Sequence, residues 1–275
     1  MNCSGQPTVT ETVAAGISAA IAGAVLTLTL NRPDKGNALR QHDCTALVEH
    51  IEAVDGGGDV RAILVRAQGR NFCAGADLVA ANAGETKPRA GHLSRGLKAG
   101  PHRLISALWN CPVPTVSAVQ GKAIGLGLHL AVVCDFVLAA DDATFVEPFC
   151  KRGFSVDSGG SFLLPRLVGL RRTRQMLLRG VPVDATTAVE WGLIDEVVAS
   201  SSLDSAAAAL AMELAAGPTY SLGHTKGLLN DPALGGLDAA LSQEARSVET
   251  TVRSADFKEG LLAFVQRREP VFSGD

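Results

Sequence analysis

The order of apolar and polar positions divides this 275-residue chain into alternating strand-like and helix-like stretches. Leu26-Thr-Leu-Thr-Leu30 alternates with period two, as a strand with one buried face does. With the uncharged run before it, Val13–Leu30 reads as a β-hairpin turning near Ala20–Ala24, and residues 1–12 read as a loose terminus. The turn cluster Asn31-Arg-Pro-Asp-Lys-Gly-Asn37 ends the hairpin. Leu39, Leu47, Ile51 and Val54 then follow helical spacing over Ala38–Val54. Val60–Ala67 is almost continuously apolar, which suits a strand covered on both faces. Val79–Gly100 has little periodicity and reads as a mobile lid, since so long a loop in a compact domain is usually functional or disordered.

Further along, strands are predicted at Thr115–Val119, Phe136–Ala140 and Leu193–Val198. Helices are predicted at Pro101–Trp109, at Gly159–Val168 and Leu170–Gly180 on either side of Gly169, and at Ala185–Gly192. Strand and helix in alternation predict an α/β fold with a parallel core. From Ser202 the pattern is helical: Leu203–Ala216, Ser221–Leu229, and Leu237–Gln266 with a break near Ser254–Asp256. The expected organisation is a core over residues 1–200 and a helical region over 201–275, of a kind often used for assembly.

Two stretches share one construction. Thr115–Val119 drops through Gly121, Gly125 and Gly127 into the apolar helical run around Leu128–Val133, and Ala62–Ala67 leads through Gly69 and Gly75 to a helix start at Asp77. Glycine lets the backbone turn tightly and approach a ligand closely. The first N–H groups of a helix have no partner inside it and offer hydrogen bonds to an anion or to an oxygen that becomes one. Two such turns could hold one carbonyl oxygen between them, the geometry of an oxyanion hole.

Composition narrows the function. Hydrophobic residues make up 47% and charged residues 19%, a globular balance, and a net charge of −3 gives no reason to expect nucleic acid or an anionic membrane as partner. Val13–Leu30 is long and uncharged enough to raise a membrane span. Glu11 before it, Gly16 and Gly23 within it, and its period-two end argue for strands instead. The six cysteines are scattered, with no CxxC pair and no histidine at zinc-ligand spacing. They read as reduced thiols of a cytoplasmic protein, and no metal is expected.

The motifs resemble those of the crotonase (enoyl-CoA hydratase/isomerase) superfamily over nearly the whole chain. They are Asn31-Arg-Pro-Asp-Lys-Gly-Asn-Ala-Leu39, Phe72-Cys-Ala-Gly-Ala-Asp-Leu78, Ala123-Ile-Gly-Leu-Gly-Leu-His-Leu-Ala131 with Cys134-Asp135, and Gly159-Gly-Ser-Phe-Leu-Leu-Pro-Arg-Leu-Val-Gly169. Ala188-Val-Glu-Trp-Gly-Leu-Ile-Asp195 and the set around Asp256-Phe-Lys-Glu-Gly260, Phe264 and Arg267 complete them. The resemblance implies a spiral of ββα units closed by a C-terminal helical subdomain, assembled as a homotrimer or a dimer of trimers. It implies an acyl-CoA substrate and no separate cofactor, coenzyme A being part of the thioester. The thioester oxygen would sit between the N–H groups of Ala76 and Leu126, the latter where many members have glycine. The adenine end of CoA would lie near Asn37, Ala38, Leu39, Ala74, Asp77 and Leu78. Phe264 and Arg267 of a neighbouring subunit would close over it.

The departures bear on the reaction. Hydratases of this family position water with two glutamates, and here the matching positions are His129 and Phe149. Phenylalanine cannot activate water. A carboxylate stands instead at Asp157, where isomerases of the 1,2-epoxyphenylacetyl-CoA kind carry one. A double-bond shift needs one base that removes and returns a proton while the hole holds the dienolate. Two readings of Asp157 stand, proton shuttle and helix N-cap. His129 reads as a core histidine or as a second acid/base facing Asp157, Glu147 as structural, and Cys73 as packing rather than nucleophile. The leading expectation is an enoyl-CoA isomerase. A hydratase with non-standard acid/base residues and a non-catalytic acyl-CoA-binding protein are the alternatives. A dinucleotide site is disfavoured, because Gly125-Leu-Gly127 lacks the third glycine and the distal acidic residue of that fingerprint.

Overall fold

The structure is a computed structural model that describes residues 10–14, 16–77, 91–231 and 236–275. Its strands are β1 (Thr10–Ala14), β2 (Ile17–Ala22), β3 (Val25–Leu30), β4 (Ala62–Ala67), β5 (Thr115–Val119), β6 (Lys122–Ile124), β7 (Phe136–Ala140), β8 (Thr144–Val146), β9 (Val183–Asp184) and β10 (Glu196–Val198). The helices are α1 (Gln41–Glu52), α2 (His92–Ala99), α3 (Pro101–Trp109), α4 (Leu126–Val132), α5 (Phe149–Arg152) and α6 (Gly160–Arg179). They continue with α7 (Ala185–Trp191), α8 (Leu203–Ala216), α9 (Thr219–Asn230), α10 (Leu237–Thr251) and α11 (Ala255–Gln266).

The main sheet runs β1-β2-β3-β4-β5-β7-β10. The β1–β3 edge is antiparallel and the pairs from β3 to β10 are parallel. Parallel strands need cover on both faces, and the side-chain alternation supplies two apolar sets. Ile63, Val65, Val119, Val137 and Ala139 face a core shared with Leu47, Val48 and Ile51 of α1 and Leu104 and Leu108 of α3. Ala62, Leu64, Val116, Ala118, Leu138 and Ala140 face the opposite way, onto α8. There Ala207, Ala211 and Ala215 recur every four residues, so one stripe of small side chains meets the sheet. The division expected at residue 200 therefore falls between the sheet and the helix that covers its second face.

A second ladder, β6-β8-β9, runs beside the main sheet and is extended by single bridges. Cys73 bridges Ala123, Ala123 pairs Phe145, and Phe145 pairs Val183, all buried. The chain passes repeatedly from a main-sheet strand through this ladder into a helix: β5–β6–α4, then β7–β8–α5. That is the expected spiral of strand–strand–helix units.

Several sequence expectations change. Residues 10–12, expected as the end of a loose terminus, belong to β1, whose backbone pairs in register with β2 from Thr10↔Ile21 to Ala14↔Ile17. Within the segment expected as a lid, residues 79–90 lie outside the described residues and His92–Ala99 is a helix. Its Leu93 stands exposed and its Gly96 breaks the apolar stripe, so periodicity could not reveal it. Strands of two or three residues, β6, β8 and β9, are too short to show a period. Helix α5 was not expected, and the helix expected to start at Asp77 lies outside the described residues; the other predicted elements match to within a few residues, including α6, where Gly169 sits at φ 74°, ψ 160° as an internal kink. Among the described residues no helix is long and apolar enough to cross a membrane.

One buried ion pair ties the C-terminal helices to the sheet. Lys226 of α9 lies 2.7 Å from Asp135 Oδ2 and reaches the Val113 carbonyl at 3.3 Å. The same carboxylate oxygen accepts the Thr115 N–H and hydroxyl, both at 2.8 Å. Breaking a buried pair strands the remaining charge. Because Asp135 is about a quarter exposed, Lys226→Met is expected to lower stability by about 2–3 kcal/mol, read as a fall in the urea midpoint; an unmoved midpoint would show that the pair is not a fastening.

Candidate active site

The two glycine turns meet. A side-chain β-carbon placed on Gly75 would lie 2.7 Å from the Ile124 carbonyl oxygen and 3.8 Å from the Leu126 nitrogen. One placed on Gly127 would lie 2.4 Å from the Cys73 carbonyl oxygen. Both positions are therefore closed to any residue with a β-carbon unless the backbone shifts. Cross-bonds hold the contact: Cys73 N–H donates to Lys122 O at 3.0 Å, and Ile124 N–H donates to Cys73 O at 2.9 Å.

The bridge pattern determines where the Ala76 amide faces. Leu39 donates to Gly75 O and Asp77 donates to Leu39 O, both at 2.8 Å, so Ala76 sits between them with its own N–H turned away from Leu39. Gly125, at φ 53° and ψ −116°, is the residue before α4, and Leu126 opens the helix. Neither the Ala76 nor the Leu126 N–H donates to a backbone acceptor among the described residues. The Leu126 side chain is only 3% exposed and packs in the main core, which leaves its amide unobstructed by it. Two such donors beside the double turn can bind one oxygen and stabilise charge developing on it.

Cys73 lies under this turn. Its thiol donates to the Asn37 carbonyl at 3.1 Å, and burial pushes its pKa up to about 12. A thiol so raised is not a nucleophile at neutral pH, which leaves Cys73 as packing.

Asp157 lies half-buried in the loop between α5 and α6. The N-cap reading fails here: the cap residue of α6 is Gly159, and no side chain caps the helix. Ser158 and Gly159 are both left-handed, at φ 48° and 87°, which separates Asp157 from the helix start by two reversed residues. Its carboxylate has no hydrogen-bond or ionic partner among the described residues. Such a group is open to a ligand.

His129 is bonded to Glu147. Its Nε2 lies 2.7 Å from Glu147 Oε1, with both side chains fully buried. The Phe149 ring stacks on the imidazole, with centroids 6.0 Å apart and planes 11° apart. Phe149 itself is 5% exposed and closes against the turn at Gly125. The two positions where a hydratase would carry its glutamates thus hold a buried imidazole and a buried ring. The pairing of Glu147 with His129 was not visible in the chain, since eighteen residues separate them and only the parallel pairing of β6 with β8 brings them together.

Around the expected CoA end, Asn37 (φ 57°) is occupied by the fold. Its side chain accepts the Arg32 N–H and donates to the Gln68 and Asn71 carbonyls. Ala38 and Ala74 are half-buried, Leu39 is buried, and Asp77 pairs with Arg32 at 3.2 Å. Leu78 lies outside the described residues. Phe264 is 81% exposed and Arg267 is the left-handed cap of α11. Among the described residues no cluster of three metal-ligating side chains occurs.

Known proteins show the same organisation. Residues 20–275 match the family model described as Enoyl-CoA hydratase/isomerase. The 1,2-epoxyphenylacetyl-CoA isomerase of Escherichia coli (strain K12) is 38% identical, over 91% of this chain and 95% of its own. A Rhodobacter capsulatus protein named "Probable enoyl-CoA hydratase" is 35% identical, over 90% of this chain and 93% of its own. The crystal structure of an enoyl-CoA hydratase from Bacillus anthracis superposes with a TM-score of 0.88 at 26% identity, covering 95% of this chain and all of that one. With a family model spanning nearly the whole chain and the double glycine turn in place, the protein belongs to the enoyl-CoA hydratase/isomerase family.

Proposed function

We propose that this protein is a double-bond isomerase of acyl-CoA thioesters, with Asp157 as the proton shuttle. The observation that carries this reading is the half-buried Asp157 carboxylate, without a partner among the described residues, set against hydratase positions taken by a buried imidazole and a buried phenyl ring. In a 3-enoyl thioester the carbonyl oxygen would accept the Ala76 and Leu126 N–H groups. Asp157 would take a proton from C2, and the freed electron pair would delocalise into a dienolate whose oxygen charge those amides stabilise. The same carboxyl group would then return its proton to C4, giving the conjugated 2-enoyl thioester with no net gain or loss of atoms. A relative named as an isomerase, 38% identical, supports the assignment. The hydratase alternative is weakened by His129 and Glu147, which bond to each other out of reach of solvent.

The assembly proposed with this reading is a homotrimer, or a dimer of trimers. Leu261, Phe264 and Val265 lie exposed on α11, with Leu237, Leu241 and Val248 exposed on α10, so the C-terminal helices present apolar surface of the sort that interfaces cover. The same surface would bring Phe264 and Arg267 over a neighbour's CoA end.

Three measurements test these statements. Asp157→Asn is expected to lower the rate of 3-enoyl-CoA isomerisation by about 10²–10⁴, followed as gain of conjugated thioester absorbance, while acyl-CoA binding persists. An equally active variant would remove the shuttle, and binding without turnover in the parent protein would leave an acyl-CoA-binding protein. Gly127→Ala forces the turns apart and is expected to lower kcat by about 10², with a cooperative thermal transition retained; undiminished kcat would place the oxyanion elsewhere. Light scattering on the purified protein is expected to give three or six chains per particle, and a monomer would overturn the assembly.

A further inference from the structure

His129 and Glu147 are a poor bargain for stability. Both are fully buried, one hydrogen bond joins them, and His129 Nδ1 and Glu147 Oε2 have no partner among the described residues. A buried pair of this kind is often replaced by apolar side chains at no loss of stability, so its place in the structure calls for another reason. Its surroundings supply one. A β-carbon on Gly160 would lie 2.3 Å from His129 Nε2 and 2.6 Å from Cε1, so the backbone at the end of the Asp157 loop is seated directly on the bonded edge of the imidazole. Phe149 stacks on the ring face and closes on Gly125, and His129 N–H donates to the Gly125 carbonyl at 2.9 Å. One side chain therefore touches the loop that carries Asp157, and its residue is bonded to the turn that presents the Leu126 amide.

We propose that His129 and Glu147 form a positioning pair: the hydrogen bond sets the plane of the imidazole, the imidazole seats Gly160, and the seat fixes Asp157 relative to the oxyanion hole. This rests on the reading of Asp157 as the proton shuttle. Neither residue touches substrate or exchanges a proton with it. The pair acts through distance alone, to which proton transfer is steeply sensitive.

The test is the double variant His129→Leu/Glu147→Leu, which removes both polar groups and strands neither. It is expected to melt no lower than a few degrees below the parent protein, to keep KM for the thioester, and to lose kcat by about 10- to 100-fold. Glu147→Gln, which keeps a hydrogen bond to the imidazole, is expected to lose less than the double variant. Combined with Asp157→Asn, the double variant should add no further loss, because both act on one step. A folded double variant with the parent kcat, or losses that multiply with those of Asp157→Asn, overturns the proposal. Full activity of Asp157→Asn alone overturns the shuttle assignment, and this inference with it, a result distinct from an unaffected double variant. Should the double variant not fold, Gly160→Ala disturbs the same seat from the loop side. Lowered kcat at constant KM in the folded protein supports the pair, and unchanged kcat overturns it.

Discussion

The site depends on two backbone turns that touch. Ala76 and Leu126 can offer their N–H groups to one oxygen only because Gly75 and Gly127 leave no β-carbon between the turns that carry them. The main sheet sets the preceding strands β4 and β5 side by side, and the bridge between Cys73 and Ala123 locks the turns together. Everything downstream, including the stacked Phe149 and the loop with Asp157, is arranged around that contact.

Much of this was legible in the chain. Gly-rich turns after apolar strands are the local signature of close backbone approach, so the paired turns could be read before any coordinates. The hairpin followed from the alternation at Leu26–Leu30, and the kink in α6 from Gly169. Helix α8 was legible from its run of alanine and leucine, but its partner was not, because nothing in Ala207, Ala211 and Ala215 says which sheet face they meet. Position within the spiral decides that.

What escaped reading shares a physical cause. Strands β6, β8 and β9 are held by neighbours rather than by their own sequence, and two or three residues cannot express a period. Asp157 looked like a helix cap because it precedes Ser-Gly-Gly-Ser. The backbone makes two left-handed residues before α6 begins, and the carboxylate caps no helix and meets no partner among the described residues. His129 was read from its own helix, where it is one polar residue on an apolar face. Its partner directly follows β8, and the pairing Ile124↔Val146 brings the two chain segments together.

An oxyanion hole made of main-chain donors has a genetic consequence. With the proposed roles of Ala76 and Leu126, the chemistry would reside in atoms that nearly every amino acid shares, so these positions would be free to drift in side-chain identity. An alanine scan would skip Ala76 and score Leu126 as a core residue. The constraint would fall instead on Gly75 and Gly127, where the requirement is for the absence of a side chain.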